Sequence, residues 1–509
     1  MKKLDRLSPS GILALILVFG SALRIYGLDH QSLWHDELES WRESSFDSFK
    51  EVLQLGIQPD THPPLFQSVL FFVEKYLGET ETLLRLPSAI AGIFSIFAIY
   101  WLAKRLYSSR EGLAAAFLMA ILWCPIYYGQ EARNYSFLIL FSILSSLFWV
   151  ELFILRNNSR KESSLSTILG YILASLALIY THYFGVILLA LQGIGAYILR
   201  LKDPNKLLQN TKIYLLIGLG YLPWIPSALE QFTHMEKISW IDKPTITVFP
   251  AYISFILNRS HALAIIALLI LTFLLLKIFY DFYNKKDRNL ASLVSSPDFI
   301  LGYWLVIPVM LTAIISVVWK PIYTQRNLLI SLPAAYILIS RAFFSLPFNR
   351  AVKATLLFIF GCVASYQMIF IQDYYVFPYK EQFREAVYHV VDSRHDPHEP
   401  MIIGQVRFPD YLDYYFQRRD TTLRVNMAVN RETDIMAVIN EIKLKDPNAI
   451  WYLAAHYKPD QEILEYLKVN YNITEHIALS GAEVWLFTKS VFIGSSFRPT
   501  LSLIRNCAI

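Results

Sequence analysis

The sequence has few charged residues for its length. Lys, Arg, Asp and Glu make up 17% of the 509 residues, whereas 55% are hydrophobic. Soluble domains usually carry about a quarter charged residues. This shortage argues against an ordinary soluble domain and predicts a chain that lies largely in lipid. The aromatic share of 15% fits a protein that crosses two membrane interfaces.

Cysteine and nucleotide-binding loops are also scarce. The three cysteines form no CxxC pair, so the sequence predicts no zinc or redox site. No glycine-rich phosphate loop follows a strand pattern, which leaves a nucleotide without an evident binding site. The net charge is only +5, and the basic residues cluster in loops rather than in a binding stripe. We therefore expect no nucleic-acid partner.

Long apolar runs dominate the first 372 residues. A helix needs about 20 mostly apolar residues to cross the hydrocarbon core. The sequence predicts a polytopic α-helical membrane protein with about eleven spans, at residues 11–23, 86–103, 112–130, 134–150, 163–181, 183–199, 213–229, 262–276, 299–319, 327–340 and 354–372. The apolar run 64–73 is too short to span, and we interpret it as an interfacial or re-entrant helix.

The loop charges predict the orientation. With the N-terminus in the cytoplasm, every Lys/Arg-rich connection falls inside, at residues 104–110, 156–161, 202–212, 285–288 and 341–353. This agrees with the positive-inside rule. The loop 27–84 and the tail from residue 373 then lie outside, in the periplasm or cell exterior.

The tail differs in kind from the rest of the chain. It is rich in charge, and short strand-like runs at 401–406, 449–455 and 483–488 alternate with helical patterns at 379–392 and 460–469. Such alternation is typical of an α/β domain. The sequence predicts two domains, a transmembrane helical module over residues 1–372 and a small extracytoplasmic α/β domain over residues 373–509.

The first outer loop holds the strongest candidate for chemistry. His35, Asp36 and Glu37 stand between Trp34 and Trp41. A carboxylate partly removed from water becomes a better base and could take a proton from an acceptor hydroxyl. An aromatic belt with solvated acids explains the same residues equally well when the motif is taken alone.

Further ionisable residues lie at the same predicted membrane face. His62, Glu131, Arg133, His182 and Arg326 all stand in outer loops or turns. Capping, packing or interfacial anchoring would explain each one singly. Together, the cations could hold a phosphate, and the carboxylate could orient an acceptor or a metal. The sequence leaves open whether a divalent metal is needed, and it predicts no other cofactor.

Several motifs resemble those of a known group of membrane enzymes. They are Leu33–Glu37, Thr61–Leu65, Arg85–Ser88, Tyr128–Tyr135 and Thr181–Gly185, with Arg326 in a further matching position. Their order resembles that of glycosyltransferases with the GT-C fold, over roughly residues 10–390. These include protein mannosyltransferases of glycosyltransferase family 39 and the aminoarabinose transferases that modify lipid A.

The resemblance implies a function, a location in the plasma (inner) membrane of a bacterium and roles for residues. A polyprenyl-phosphate sugar would be the donor, and transfer would invert the anomeric carbon. Asp36 would be the general base, with Glu37 and Glu131 as further catalytic acids. Substrate and phosphate binding would fall to His62, Arg133, Tyr135, His182 and Arg326. Some relatives carry Gly or Pro where His35 stands, and Lys where His62 stands.

The sequence also leaves alternatives open. A transporter or flippase of lipid-linked sugars is one, and a non-catalytic envelope-assembly protein is another. Transporters tend to show internal repeats and broken helices near the midplane. This chain instead places its ionisable residues at one predicted face, which favours an enzyme. The acceptor could be a lipid, a glycan or a protein, and membrane lipids surround the spans.

Overall fold

The computed structural model describes residues 8–155, 164–234, 241–284, 295–393, 400–419 and 422–489. The chain divides into two units. The first comprises residues 1–28 and 43–373, and the second comprises residues 29–42 and 374–509. The short segment 29–42, which precedes most of the first unit in the chain, thus groups with the tail.

The first unit is helical. Its helices are α1 (Pro9–Ile25), the end of α2 (His35–Ser44), α3 (Phe49–Glu51), α4 (Leu65–Tyr76), α5 (Glu81–Leu106), α6 (Ser109–Ile121), α7 (Trp123–Gly129), α8 (Tyr135–Trp149), α9 (Leu165–Thr181), α10 (Gly185–Arg200), α11 (Pro204–Tyr221), α12 (Ile225–His234), α13 (Val248–Ile256), α14 (His261–Asn284), α15 (Pro297–Val318), α16 (Leu332–Ser345) and α17 (Arg350–Tyr366). Short 3₁₀ or π segments extend several of them, at Val52–Ile57, Val150–Leu155, Leu222–Trp224, Arg326–Ser331 and Gln367–Ile371.

Most long helices begin at a residue that caps them. The side chains of Ser8, Thr80, Ser164 and Asp203 each accept a hydrogen bond from a backbone N–H of the first helical turn. Those N–H groups have no partner inside the helix, and a capping oxygen satisfies one of them. The polar residues between apolar runs therefore fix where the helices start.

The protein is a multi-span membrane protein. Among the described residues, seven helices are long and apolar enough to cross a bilayer, and a bent pair formed by α6 and α7 supplies an eighth span. Three shorter apolar helices, α1, α9 and α10, coincide with further runs that the sequence predicts as spans. The structure therefore agrees with a polytopic helical protein, and the number of about eleven spans stays a prediction.

The run 112–130 differs from the single straight span that its composition predicts. Helices α6 and α7 meet at an angle of 59°. Pro125 has no N–H to continue the α6 ladder, and Leu122 adopts an extended conformation. The N–H of Trp123 donates to Asn258 Oδ1 at 2.8 Å, so a side chain of another element satisfies the break.

The short apolar run forms α4, a helix of 12 residues that is too short to cross a membrane. It begins directly after Pro63 and Pro64, and the fixed φ of proline suits the first turn of a helix. One face, including Phe66 and Leu70, is fully buried. The loop before α4 is therefore held firmly and carries Asp60 and His62.

The second unit contains a five-stranded mixed sheet. Its strands are β1 (Met401–Gln405), β2 (Met427–Val429), β3 (Ala449–Ala455), β4 (Asn472–Leu479) and β5 (Ala482–Thr488), in the order β2-β1-β3-β5-β4. β1 pairs in parallel with β2 and β3, whereas β5 is antiparallel to β3 and β4. The helices are α18 (Phe383–Asp392), α19 (Asp410–Arg419), α20 (Ile435–Lys445) and α21 (Gln461–Asn470).

The α/β architecture of the tail agrees with the expectation from sequence, although two strands were not predicted. β2 has only three residues, and β4 is mostly exposed, so neither shows a strong apolar pattern. β1 and β3 are almost wholly buried and were recognised. Residues such as Ile450, Tyr452 and Phe487 form the core beneath α20 and α21.

Candidate active site

Four connections of the first unit bring their polar residues together. They are the loop before α4, the α7–α8 turn, the α9–α10 turn and the start of the 3₁₀ segment after α15. We call this group the arginine–histidine cluster, and it consists of Asp60, His62, Arg133, His182 and Arg326. Two observations define the cluster. The ring centres of His62 and His182 lie 5.9 Å apart. The charges of His62, Arg133 and Arg326 all lower the pKa of His182.

Asp60 and His62 form a pair within one loop. Nδ1 of His62 lies 2.9 Å from Oδ2 of Asp60, and the backbone N–H of His62 donates to the same oxygen. Burial by itself raises the pKa of the Asp60 carboxyl, but the nearby His62 and Arg133 outweigh it and lower the pKa to about 2. Asp60 is therefore an anion at neutral pH and holds the His62 ring in place.

His182 is buried at the end of α9. Burial lowers its pKa to about 3, and the charges of His62, Arg133 and Arg326 add to this effect. A hydrogen bond with Asn327 opposes it in part. His182 is therefore a neutral imidazole, with one ring nitrogen that donates a hydrogen bond and one that accepts. The backbone N–H of Phe184 donates to its Nδ1 at 3.1 Å, which leaves Nε2 as the protonated nitrogen.

Arg133 and Arg326 supply the positive charge of the cluster. Arg133 is 6% exposed and stands in a turn that is fixed by Ser88, whose hydroxyl donates to the Arg133 carbonyl at 3.0 Å. The guanidinium of Arg326 lies 5.9 Å from the ring centre of Tyr135. The next residue of the Arg133 turn, Asn134, donates to the Thr181 carbonyl beside His182. The turns are thus tied to each other by hydrogen bonds.

Glu131 lies in the same turn but is more deeply buried, with 1% of its surface exposed. The N–H of Arg133 donates to the Glu131 carbonyl at 2.8 Å, which tightens the turn. Five residues predicted from sequence, His62, Arg133, Tyr135, His182 and Arg326, are therefore brought together, and Glu131 lies in the turn that carries two of them.

Asp36 belongs to the second unit. It stands in the first turn of α2, and possible ligand atoms of His35, Asp36 and Glu39 all lie within 4.8 Å of one another. We call these three residues the acid cluster. Asp36 is half-buried, whereas His35 is 6% exposed. A half-buried carboxylate at the start of a helix can still reach a substrate.

Residues of the tail surround the acid cluster. Glu381 accepts a hydrogen bond from the His35 N–H at 3.0 Å and contacts Nδ1 of His456 at 2.6 Å. The rings of His35 and His456 stack with their centres 3.8 Å apart. Nη1 of Arg407 lies 2.5 Å from Oε1 of Glu39. The position of Asp36 is therefore set by the tail, and the sequence did not predict any of these partners.

Glu37 points to a different environment from Asp36. Its side chain is fully buried and lies 3.0 Å from the ammonium of Lys380, which is also buried. Lys380 in turn donates its backbone N–H to Gln31. Glu37 thus forms a buried ion pair that links segment 29–42 to the tail.

Comparison with known proteins shows what this chain resembles in sequence and in fold. Residues 61–229 match the sequence model of the dolichyl-phosphate-mannose-protein mannosyltransferase family. Among solved structures, the crystal structure of ArnT from Cupriavidus metallidurans bound to undecaprenyl phosphate matches with a TM-score of 0.59, at 13% identity, over 96% of this chain and all of the other. Its apo form gives the same score and identity over 94% of this chain and 98% of the other.

A third match comes from an archaeon. The oligosaccharyltransferase AglB from Archaeoglobus fulgidus, in complex with an inhibitory peptide and a dolichol-phosphate, matches with a TM-score of 0.51 at 10% identity. The match covers 94% of this chain and 74% of the archaeal chain. The chain has a GT-C fold. A search of curated proteins gives no match.

The resemblance seen in the motifs of this GT-C protein is confirmed, although the family match is shorter than the predicted range. It covers the loop with His62 and the turns with Arg133 and His182. Asp36 and Arg326 lie outside it. The likeness to ArnT extends over nearly the whole chain, but at 13% identity it shows the fold alone.

The acid cluster of this GT-C protein has a donor set that could hold a divalent cation. One imidazole and two carboxylates suit zinc or a harder ion. However, Arg407 already contacts Glu39 at 2.5 Å. A metal would therefore have to compete with a guanidinium for one of its three ligands.

Each of the two clusters also has members or partners that were not predicted. Asp60 is one of them, although an acid two residues before a histidine is a recognisable signal. Lys380, Glu381, Arg407 and His456 had no such signal, because they are more than 300 positions from Asp36 in the chain. Their proximity depends on how segment 29–42 docks on the tail.

Proposed function

We propose that this GT-C protein is a glycosyltransferase that moves a sugar from a polyprenyl-phosphate donor to an acceptor hydroxyl. The observation that carries the proposal is the arginine–histidine cluster, in which cations from separate connections converge in a fold shared with an undecaprenyl-phosphate-bound transferase. The reaction takes place at the outer face of the plasma membrane, as the loop charges predict.

Arg133 and Arg326 bind the phosphate of the donor. The charges of both guanidinium groups lower the pKa of His182, so both lie near that side chain. Arginine forms strong, charge-assisted hydrogen bonds with phosphate, and their strength increases where water is excluded. The same cations stabilise the negative charge that develops on the phosphate as it leaves.

His62 and His182 complete the phosphate site. Asp60 holds the His62 ring at 2.9 Å, which fixes the direction of its other nitrogen. His182 is neutral, so it lines the phosphate site without adding charge. Tyr135 lies beside Arg326 and limits the freedom of its guanidinium.

Asp36 is the general base. It takes the proton of the acceptor hydroxyl while that oxygen forms a bond to the anomeric carbon. The bond between that carbon and the phosphate oxygen breaks, and the polyprenyl phosphate leaves with the electron pair. A single displacement of this kind inverts the anomeric carbon. Glu131 orients the acceptor, and Glu37 acts indirectly, because its pairing with Lys380 fixes α2 and so Asp36.

Replacement of Asp36 by Asn tests the proposal. Membranes that contain the full-length protein would be supplied with a panel of undecaprenyl-phosphate-linked hexoses and pentoses, and transfer of labelled sugar would be measured. We expect the variant to lose at least about a hundredfold in rate, as is typical when a general base is removed. NMR of the product should show an inverted anomeric carbon.

Asp29→Asn is the matched control, since Asp29 is an exposed acid in the same segment. It should retain the parent rate. Transfer by Asp36→Asn at the parent rate, in protein that is folded and inserted, would show that the base is assigned wrongly. Absence of transfer by the parent with every donor, together with movement of lipid-linked sugar across the membrane, would favour a flippase.

A further inference from the structure

The tail contains a cavity that the proposed chemistry does not use. It measures about 300 Å³ and is lined by residues of the second unit only, namely Gln405, Val429, Asn430, Arg431, Thr433, Ile435, Tyr457, Lys458 and Asp460. A volume of about 300 Å³ is at the lower end for sites that bind small molecules. A single sugar residue would fit a cavity of this volume.

The cavity lies where an α/β sheet usually binds its ligand. Gln405 ends β1, Asn430 follows β2, and Lys458 follows β3. These three strands are parallel, so their carboxyl ends meet at one edge of the sheet. In the sheet, β2 lies on one side of β1 and β3 lies on the other side. Ligands bind at the carboxyl ends beside such a switch in strand order.

A hydrogen-bond network holds the floor of the cavity. Gln405 donates from Nε2 to the Lys458 carbonyl at 2.8 Å, and its Oε1 accepts from the N–H of Asp460 at 2.8 Å. The Tyr452 hydroxyl donates to the same oxygen. The loops after β1 and β3 are therefore joined before any ligand arrives, which lowers the entropy cost of binding.

Two cations and one carboxylate line the cavity. The carboxylate of Asp460 is engaged, because its Oδ1 accepts hydrogen bonds from Glu462 N and Ile463 N at the start of α21. Within the described part of the second unit, Arg431 and Lys458 form no ion pair. The guanidinium of Arg431 lies over the Tyr457 ring at 5.3 Å. An anion would be attracted to this pair of cations.

The other lining groups suit a saccharide. Asn430 and Thr433 provide an amide and a hydroxyl, and Tyr457 provides a flat apolar ring. Sugars combine many hydroxyl groups with apolar C–H faces, so they match such a mixture of polar and aromatic groups.

A row of rings connects the cavity to the acid cluster. The ring centre of Tyr457 lies 5.0 Å from that of His456. The His456 ring in turn stacks on the His35 ring, with their centres 3.8 Å apart. His35 is the chain neighbour of Asp36. All of these residues belong to the second unit. A molecule bound in the cavity would therefore lie near the residue to which we assign the acceptor proton.

We propose that this cavity binds an anionic saccharide, and that it is the subsite for the acceptor. The acceptor would carry a carboxylate or phosphate on a sugar unit, which Arg431 and Lys458 recognise, while another hydroxyl of the same molecule reaches Asp36. The role as an acceptor subsite rests on the proposed function, whereas the binding itself does not.

Binding to the full-length protein in detergent tests the subsite. Glucuronic acid and glucose 6-phosphate would be the probes, with glucose as the neutral comparison, and saturation-transfer NMR would detect contact. We expect both anionic probes to bind and glucose to bind at least about tenfold more weakly. The double variant Arg431→Gln/Lys458→Gln should lose at least about tenfold in affinity, the effect of one charge-assisted hydrogen bond.

Lys468→Gln serves as the control, because Lys468 is an exposed cation of α21 outside the cavity. It should bind the probes as the parent does. Equal binding by the double variant and the parent, or no binding of either anion to the parent, would overturn the subsite.

Asp36→Asn separates this inference from the proposed function. It should bind the probes normally but transfer no sugar. If transfer is established, the double variant should raise the KM for the acceptor with little change in kcat. An unchanged acceptor KM would refute the role as an acceptor subsite, even where binding of the probes is confirmed.

Discussion

The carboxylate of Glu37 lies 3.0 Å from the ammonium of Lys380, and both side chains are almost completely buried. One partner precedes nearly all of the spans in the chain, and the other follows them. The pair joins segment 29–42 to the tail within one unit. Because a buried charge without a partner is costly, the pair makes the position of α2 depend on the tail.

Replacement of Lys380 by Met should destabilise the second unit by about 3 to 5 kcal/mol, since it leaves Glu37 buried without its cation. Thermal unfolding followed by tryptophan fluorescence would measure the loss. The double variant Glu37→Gln/Lys380→Met removes both charges and should recover part of it. Lys468→Met, at an exposed site, should have little effect. A stable Lys380→Met protein would contradict the importance of the pair.

Replacement of Arg133 or Arg326 by Gln should weaken the binding of undecaprenyl phosphate by about tenfold to a hundredfold, the loss of one charge-assisted hydrogen bond. Binding to the purified protein can be followed by intrinsic fluorescence or native mass spectrometry. Arg133→Lys keeps the charge and should recover some affinity, although not the bidentate geometry.

The exposed Arg350 at the start of α17 provides a control for these variants. Arg350→Gln should bind undecaprenyl phosphate as the parent does. Unchanged binding by both Arg133→Gln and Arg326→Gln would place the phosphate elsewhere.

The stability of the first unit should fall as the pH falls from about 6.5 toward about 3. The pKa of His182 is lowered by burial to about 3, whereas its ordinary value is 6.5. The unfolded chain therefore binds a proton in this range that the folded chain does not, which favours unfolding. The contribution is complete above pH 6.5 and is lost toward pH 3.

Unfolding temperatures of the parent and of His182→Asn between about pH 7 and about pH 4.5 test this effect. The variant should show a shallower decline. Asp60 does not interfere, because its pKa is lowered from 3.8 to about 2 and its stabilising effect is lost only below about pH 4. His261→Asn, at an exposed histidine, should decline as steeply as the parent. Identical slopes in all three proteins would refute a buried neutral His182.

The orientation can be tested by cysteine labelling in intact cells. In a variant with Cys124, Cys362 and Cys507 replaced by Ala, an Asp47→Cys substitution should react with an impermeant maleimide from outside. A Lys202→Cys substitution should react only after permeabilisation. Both positions are exposed. The opposite pattern would invert the topology and remove the argument for a donor at the outer face.

Much of the helical fold could be predicted because lipid imposes a strong constraint. Spans need long apolar runs, and polar caps such as Thr80 and Asp203 stop and start them. The break after Leu122 was missed, since the acceptor for the Trp123 N–H is the Asn258 side chain, far along the chain. β4 was missed because an exposed edge strand has little apolar pattern.

The candidate site residues were also predicted only in part. His62, Arg133, His182 and Arg326 were recognised because each is an ionisable residue next to an apolar run. The lowered pKa values could not be foreseen. That of His182 depends mainly on burial, and that of Asp60 depends on His62 and on Arg133 of another turn, which outweigh burial.

The sequence by itself determined the multi-span helical class of the first unit, the α/β class of the tail and the identity of the ionisable residues, because hydrophobic length and local pattern decide these. Only the tertiary structure decided that Asp36 belongs with the tail, that Glu37 is paired with Lys380 and that a cavity opens beside His456 and Tyr457. These relationships join residues hundreds of positions apart, and such contacts arise from packing that no local pattern encodes.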